Sequence, residues 1–280
     1  MTVLWLGGGC GAGKSTTARR LAYRFDLRFY PVDAYAFAHE ARATPDGHPH
    51  MTHTATLDFT ARHVTPSVEQ RVDAFVAYAK ERFTLILEDL AALGDGALVL
   101  AEGPWLLPSL VEPIGASPGT SAWLLPTPAF TARNLGIRDE PRPTGDQTEK
   151  ERADKLRLAR DARLTVLMRD DATRLGLPVY EVDGSLSEDE TEELMAQHFA
   201  AAIERGPRIR DGAERAAARR AENAVVNAQL AAFRAYLGRN APAQERPYRY
   251  ACECTTLGCP GTVPLTPTAY RAAGRAVAHP

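Results

Sequence analysis

The sequence predicts an α/β protein in which helices cover both faces of a parallel sheet. Short apolar runs of strand type alternate with longer stretches of helical pattern along residues 1–205. Strands that are apolar throughout are typical of parallel sheets buried on both faces. The first apolar run also leads straight into a glycine-rich turn and a helix. Ligands of such sheets bind at the carboxyl ends of the strands, where this turn falls.

The predicted elements follow in order. Strands are expected at 2–6, 27–32, 97–101, 121–125 and 179–182, and helices at 18–25, 34–43, 67–93, 149–174 and 188–204. Ser187 and the acids that follow it are typical of a helix start. The stretch 126–145 is rich in proline and glycine and is predicted to be irregular.

Composition excludes several classes of protein. The chain has 280 residues, of which 45% are hydrophobic and 24% are charged, as in ordinary globular domains and unlike disordered or fibrous chains. No apolar run approaches the roughly 18 residues of a membrane span. No secretory signal precedes the first strand, so a cytoplasmic location is expected.

Charge and cysteines divide the chain near residue 206. Residues 206–280 carry 11 arginines and 5 acids, whereas the whole chain has a net charge of −2. Three of the four cysteines also lie at this end. We therefore predict three regions: a domain at 1–205, a linker and helical arm at 206–247, and a cysteine-rich module at 248–280.

The glycine-rich turn has the spacing of a phosphate-binding loop. It is G-x-x-x-x-G-K-[ST] with a strand before it and a helix after it, the context that such a loop requires. Its backbone amides and the helix N-terminus would hold a polyphosphate, Lys14 would reach the β- and γ-phosphates, and Ser15 would bind Mg²⁺. The candidate phosphate-binding residues are Gly8, Gly9, Cys10, Gly11, Ala12, Gly13, Lys14, Ser15 and Thr16.

Residues 1–205 resemble the P-loop kinases of small molecules. That superfamily includes chloramphenicol phosphotransferase, adenylylsulfate kinase, shikimate and gluconate kinases and the zeta-toxin kinases. The resemblance rests on the loop, on Asp33 after the second strand, on Glu102-Gly103 at the end of the third, on an arginine-bearing segment after Pro126, and on residues 182–185. It implies a P-loop NTPase fold, ATP and Mg²⁺. Adenylate-type kinases often have Asp-Gly where this chain has Glu-Gly, which argues against a nucleoside monophosphate kinase.

Two carboxylates follow predicted strands. The resemblance implies that Asp33 accepts or orients the proton of the acceptor hydroxyl. The alternative is that Asp33 caps the helix after it. Glu102 would lie beside Mg²⁺ and the phosphates, holding a metal-bound water or the substrate, or would be only a turn residue at the strand end.

Arginines after the fourth strand form a further candidate group. By resemblance, residues 126–150 are a lid, and Arg133 and Arg138 neutralise charge on the transferring phosphoryl group. Arg160, on the next helix, is a further candidate. The alternative for any of these arginines is a solvated surface.

Five of the seven histidines lie within residues 39–63. Their spacing matches no zinc pattern, so exposed loop histidines are expected rather than a metal site. We expect the insertion at 43–66 to cover the acceptor pocket and to decide the substrate.

The last region offers metal ligands. Cys252, Cys254 and Cys259 supply three thiols, and His279 is the candidate fourth ligand of a structural Zn²⁺. The segment resembles a short cysteine-containing module of bacterial proteins of unassigned function. Reduced structural cysteines or a redox pair are the alternatives. The arginine-rich helix before it is expected to be an interaction or homo-oligomerisation arm rather than a nucleic-acid-binding element, since no DNA-binding spacing is present.

The sequence thus predicts an ATP-dependent phosphotransferase acting on a hydroxyl of a small molecule, such as an antibiotic, a sugar, a nucleotide sugar or another metabolite. The alternative is a regulatory P-loop ATPase whose cysteine module binds a partner or nucleic acid. No motif distinguishes ATP from GTP.

Overall fold

The computed structural model of the protein describes residues 2–135 and 141–279. A five-stranded sheet has the order β2-β3-β1-β4-β5, and its neighbouring strands are all parallel. The strands are β1 (Val3–Gly8), β2 (Arg28–Pro31), β3 (Val99–Glu102), β4 (Ser121–Pro126) and β5 (Val179–Val182). The predicted α/β class with a parallel sheet is confirmed.

Helices connect the strands and extend beyond them. In chain order they are α1 (Lys14–Arg24), α2 (Ala36–Arg42), α3 (Pro49–Thr56), α4 (Phe59–His63), α5 (Val68–Ala92), α6 (Pro108–Val111), α7 (Pro128–Leu135), α8 (Gln147–Arg174), α9 (Glu188–Arg205), α10 (Gly212–Leu237) and α11 (Pro267–Ala273). The Ser187 side chain accepts the amide of Glu190 in a capping box, which confirms the predicted start of α9. None of the helices in the described ranges is both long and apolar enough to cross a membrane.

Each face of the sheet packs into its own hydrophobic core. Successive residues of a strand point to opposite faces, so Trp5 of β1 joins one core while Leu4 and Leu6 join the other. The first core contains side chains of α5 and α8, and the second contains side chains of α1 and α9. The chain is therefore a three-layer sandwich with helices on both faces.

The segment predicted to be irregular and the insertion at 43–66 both contain helices. The prediction for 126–145 is wrong at its start, because residues 128–135 form α7. The proline at its first position does not oppose this, since proline is favoured in the first turn of a helix. The insertion at 43–66 likewise contains α3 and α4.

The C-terminal region packs against the sheet edge. Helix α10 lies beside the edge strand β2, where the Glu222 carboxylate accepts the amide of Phe29 at 2.9 Å. Gln229 accepts the amide of Phe37 at 3.1 Å. An uncovered edge strand leaves unpaired backbone groups, so α10 satisfies β2 in place of a further strand.

Apolar side chains of α10 are buried within the chain. Val226 and Leu230 pack with Tyr250 and Tyr270 of the last region and with Ala34, the neighbour of Asp33. The last region contains a two-stranded antiparallel sheet of β6 (Tyr248–Ala251) and β7 (Thr262–Leu265). This small core thus joins the C-terminal region to the segment that follows β2.

One buried arginine links the cysteine-rich module to the sheet domain. Arg215 of α10 is fully buried and donates to the carbonyl oxygens of Cys252, Cys254 and Cys259 at 2.8–3.0 Å. Its Nε lies 3.3 Å from Oδ1 of Asp26, an ion pair without hydrogen-bond geometry. Asp26 stands between α1 and β2, and its Oδ2 accepts the amide of Gly258 at 2.7 Å.

Candidate active site

The phosphate-binding motif forms the turn between β1 and α1. Gly8 ends β1 with a φ of 127°, and a Cβ there would lie 2.0 Å from the carbonyl oxygen of Leu124. Only glycine fits this approach. The Lys14 ammonium is buried and donates to the Gly9 carbonyl at 2.7 Å, which holds it over the turn. Amides at a helix N-terminus beside an ammonium suit phosphate oxygens.

Ser15 and Glu102 lie side by side next to this turn. The Ser15 hydroxyl donates to Oε1 of Glu102 at 3.0 Å. Glu102 is only 2% exposed, and burial raises its carboxyl pKa to about 7, with Lys14 opposing and Asp33 reinforcing the shift. A hydroxyl and a carboxylate are oxygen ligands of the kind that Mg²⁺ prefers. These two residues therefore fit a magnesium ion bound together with phosphate.

Asp33 lies in a 3₁₀ turn, Val32–Tyr35, directly after β2. Its Oδ1 accepts the indole N–H of Trp105 at 2.8 Å. Helix α2 begins three residues later, and its N-cap residue is Tyr35, without a side-chain cap. Helix capping by Asp33, the alternative that the sequence left open, is wrong.

A glycine brings the two carboxylates together. A Cβ on Gly103 would lie 2.9 Å from Cβ of Val32, so the end of β3 and the turn with Asp33 approach as closely as they do only because residue 103 has no side chain. Asp33 is near enough to Glu102 to raise its pKa. In the Glu102-Gly103 pair, the glycine thus permits close packing against Val32, and the glutamate places a carboxyl group beside Ser15 and Asp33.

A buried network lies behind Asp33. Arg82 is 1% exposed, donates to the Val32 carbonyl at 2.5 Å and to Nδ1 of His39 at 3.0 Å, and lies 5.1 Å from the Trp105 ring. Because Arg82 donates to Nδ1, the proton of His39 is on Nε2, which is 2.8 Å from Asp89. Burial lowers the pKa of His39 and keeps it neutral. The network fixes the residue before Asp33 and the indole that binds it.

A cavity of about 650 Å³ begins at Trp105. Phe75 of α5 stacks on the indole with ring centroids 4.3 Å apart and an interplanar angle of 11°. The indole therefore presents its ring to the cavity and its N–H to Asp33. Apolar or aromatic side chains that line the cavity include Leu57, Ala61, Ala74, Phe75, Tyr78 and Trp105.

The candidate arginines have different positions. Arg133 lies on α7 and donates to the Asp183 carbonyl at 2.7 Å, and Arg138 lies outside the described residues. Arg160 lines the cavity, with its guanidinium 5.5 Å from the Phe75 ring. Arg160 also lies near enough to Cys10 to affect the pKa of its thiol, which burial raises to about 11. Arg160 is thus the candidate that borders both the cavity and the phosphate loop.

The five clustered histidines do not all match the expectation of exposed loop residues. His50, His53 and His63 line the cavity, whereas His39 is fully buried in the network behind Asp33. For His39 the expectation of an exposed loop residue is wrong, because it belongs to α2 and faces Arg82 and Asp89. Residues of the insertion line the same cavity as Trp105, whose indole N–H binds Asp33.

A second cluster lies in the C-terminal module. The candidate ligand atoms of Cys252, Cys254, Cys259 and His279 lie within 4.8 Å of one another. Nε2 of His279 is 3.2 Å from Sγ of Cys259. All three cysteines are buried and free of disulfides. Three thiols and an imidazole that converge in this way match the donors and the number of ligands of a structural zinc site.

Sequence reasoning missed Trp105, Arg71, Arg82 and His39 as parts of the site. Trp105 had a detectable signal, because it stands three residues after Glu102 at a strand end. The two arginines had none, since both belong to a long helix on which arginines are ordinarily solvated. Their positions depend on how α5 packs.

Comparisons with known proteins found similar chains only among solved structures. No family model and no curated protein sequence matches the chain. Among solved structures, it is similar to shikimate kinase from Bacteroides thetaiotaomicron, with 16% identity over 72% of this chain and 98% of that chain and a TM-score of 0.38. It is also similar to shikimate kinase from Acinetobacter baumannii in complex with shikimate, with 18% identity over 72% of this chain and 94% of that chain and a TM-score of 0.38. The architecture stands on the strand order and register of the chain itself.

Proposed function

We propose that the protein is an ATP-dependent phosphotransferase that transfers the γ-phosphoryl group to a hydroxyl of a small molecule. One observation carries the proposal: Trp105 lines the cavity and donates to the Asp33 carboxylate, and that carboxylate is near enough to Cys10 of the phosphate loop and to Glu102 to raise their pKa values. A switch that only binds and hydrolyses a nucleotide needs no carboxylate held beside a separate cavity.

The chain supplies a group for each requirement of the transfer. Residues 8–16 with Lys14 would hold the phosphates, and Ser15 and Glu102 would hold Mg²⁺, which supplies charge neutralisation at the phosphates. Asp33 would take the hydroxyl proton while the hydroxyl oxygen bonds to phosphorus and the bond from that phosphorus to ADP breaks. Arg160 joins Arg133 and Arg138 as a candidate for stabilising the charge on the transferring group.

An Asp33→Asn variant tests this function. The amide oxygen of asparagine can still accept the Trp105 N–H, so the local fold should persist. The wild-type and variant proteins are incubated with Mg²⁺, γ-labelled ATP and a mixture of hydroxylated carboxylates, sugars and nucleosides. We expect a new labelled compound from the wild type, a transfer rate at least about 100-fold lower in the variant, and equal ATP affinity in both.

The opposite result supports the regulatory ATPase. In that case the wild type would hydrolyse ATP without labelling any compound of the mixture, and Asp33→Asn would hydrolyse it at the same rate. ATP binding alone does not distinguish the two, because both functions require the phosphate loop.

We also propose that Cys252, Cys254, Cys259 and His279 bind a structural Zn²⁺. The support is the convergence of four ligand atoms in a module too small to bury a large core, for which a metal supplies folding energy. Elemental analysis of the purified full chain should give one zinc per chain, lost in Cys259→Ser and retained in Cys10→Ser. A zinc-free wild type with the same Tm as Cys259→Ser would refute the site.

A further inference from the structure

We infer that the acceptor is an organic anion with an apolar body, and that Arg71 binds its carboxylate or phosphate group. The identity of this anion as the phosphoryl acceptor rests on the proposed function. The anion site itself rests on the charges and contacts of the cavity wall.

Arg71 of α5 is a buried cation that forms no ion pair with any carboxylate in the part of the chain that the structure describes. Its side chain lines the cavity, and the residue is only 7% exposed. Nη1 donates to the carbonyl oxygen of His63 at 2.5 Å, and the buried Nε has no hydrogen-bond partner. Within residues 2–135 and 141–279, no carboxylate forms an ion pair with it. An unpaired charge in such a place is costly unless a bound group compensates it.

The other cavity arginines differ from Arg71 in this respect. Arg160 donates to Asp161, with Nε at 2.9 Å, and Arg62 lies 3.7 Å from Glu40. No acidic side chain is among the described residues that line the cavity. The cavity wall thus carries three guanidinium groups, and the one that lacks a carboxylate is the most buried.

The neighbouring residues leave the Arg71 guanidinium protonated at neutral pH. Burial, reinforced by Arg160 and only partly opposed by Asp161, lowers the pKa of Arg71 to about 10, which leaves the guanidinium charged at neutral pH. His63 supplies no second cation, because burial beside Arg62 and Arg71 lowers its pKa to about 3. An anion that enters the cavity would therefore meet a fixed positive charge on Arg71 rather than a titrating one.

The rest of the wall indicates what carries the anion. Aromatic and aliphatic side chains line the remaining surface, and a volume of about 650 Å³ suits a small organic molecule. Trp105 is part of this apolar wall and donates its indole N–H to Asp33. The acceptor would place its charged group on Arg71, its apolar body or ring against Phe75 and Trp105, and its hydroxyl towards Asp33.

The charge requirement is tested with three probes of the same ring size. Benzoate and phenyl phosphate are anions, and benzamide is the neutral counterpart of benzoate. Each is titrated into the full-length protein, with binding measured by isothermal calorimetry and by tryptophan fluorescence. We expect at least one anion to bind at least about 10-fold more tightly than benzamide, the scale of a charge-assisted hydrogen bond. The ratio between the two anions identifies the favoured charged group.

Arg71→Met is the decisive variant, with Arg174→Met as its matched control on the exposed end of α8. We expect Arg71→Met to lose about 10- to 100-fold in anion affinity and to leave benzamide and ATP binding unchanged. Its Tm without probe should equal or exceed that of the wild type, because an uncompensated buried charge is removed. A merely structural arginine would instead lower the Tm and leave the ratio of anion to amide affinity unchanged.

Failure of the inference and failure of the proposed function give different results. If neither anion binds more tightly than benzamide, or if Arg71→Met and Arg174→Met bind anions equally well, the inference is overturned. If the anions bind through Arg71 but 3-(hydroxymethyl)benzoate and the other hydroxylated anions receive no label from ATP, the anion site stands and the kinase function fails. Labelling of neutral acceptors only would keep the kinase and refute the anionic acceptor.

Discussion

Replacing Glu222 by glutamine should change how the stability of the protein depends on pH. Glu222 lies on α10, and its carboxyl accepts the amide of Phe29 in the edge strand that leads to Asp33. Burial raises its pKa from 4.5 to about 7, although Arg219 opposes the shift. Glutamine keeps an oxygen for Phe29 and cannot ionise.

The sign follows from the protons that each state binds. Between pH 4.5 and 7 the folded chain holds the Glu222 proton and the unfolded chain does not, so raising the pH lowers the free energy of unfolding. For these two pKa values, the loss between pH 5 and pH 8 is about 2.5 kcal/mol. Glu222→Gln lacks this loss, so its stability relative to the wild type should increase by that amount over the same interval.

Urea unfolding of both proteins at pH 5, 6, 7 and 8 measures the effect. Contributions from all other titrating groups cancel in the difference between the two proteins. A difference that stays constant with pH would refute the reasoning. A difference that moves towards the wild type at high pH would show that Arg219, 3.1 Å away, holds Glu222 ionised.

Three further predictions concern other parts of the molecule. Trp105→Phe keeps an aromatic ring but loses the N–H that binds Asp33, and should slow phosphoryl transfer about 10- to 100-fold while ATP affinity stays unchanged. A kinase assay and an ATP titration measure the two quantities. An unchanged transfer rate would show that the hydrogen bond from Trp105 does not position the Asp33 carboxylate. Because burial lowers the pKa of His63 to about 3, the contribution of His63 to stability is constant above about pH 6.5 and falls below it by no more than about 1.4 kcal/mol per pH unit. The free energy of unfolding of His63→Gln relative to the wild type should therefore rise as the pH falls below 6.5 in denaturation curves, and a difference that does not change with pH would contradict this. Arg215→Met should lower the free energy of unfolding by about 3–5 kcal/mol, because it leaves buried carbonyls and a carboxylate unpaired. The exposed control Arg210→Met should change the free energy of unfolding by less than about 0.5 kcal/mol. Equal urea midpoints for the two variants would show that Arg215 does not stabilise the link between the cysteine-rich module and the sheet domain.

The local features of this protein were readable in its sequence. The phosphate loop depends on glycines, a lysine and a serine at fixed spacing between a strand and a helix, so one stretch of chain carries the whole signal. The three central strands, β1, β3 and β4, were predictable because each is a short, mainly apolar run buried on both faces. The edge strands β2 and β5 are less buried and were predictable from their place between helical patterns. Asp33 and Glu102 were predictable as candidate site residues because Asp33 follows β2 and Glu102 ends β3, at the edge of the sheet where ligands of such folds bind. The cysteine cluster was predictable from the close spacing of three cysteines near the end of the sequence.

Tertiary structure decided the features that join distant segments. Trp105 binds Asp33 across 72 residues, and Arg82 reaches His39 across 43. Helical periodicity placed Arg71 and Arg82 on one long helix, but only the packing of α5 turned them inwards. The sequence predicted an interaction or homo-oligomerisation arm at α10, since nothing local shows that its Glu222 and Gln229 accept the amides of Phe29 and Phe37 within the chain. Local patterns specify elements and short loops, whereas burial, counterions and edge pairing are properties of surfaces that exist only once those elements have packed.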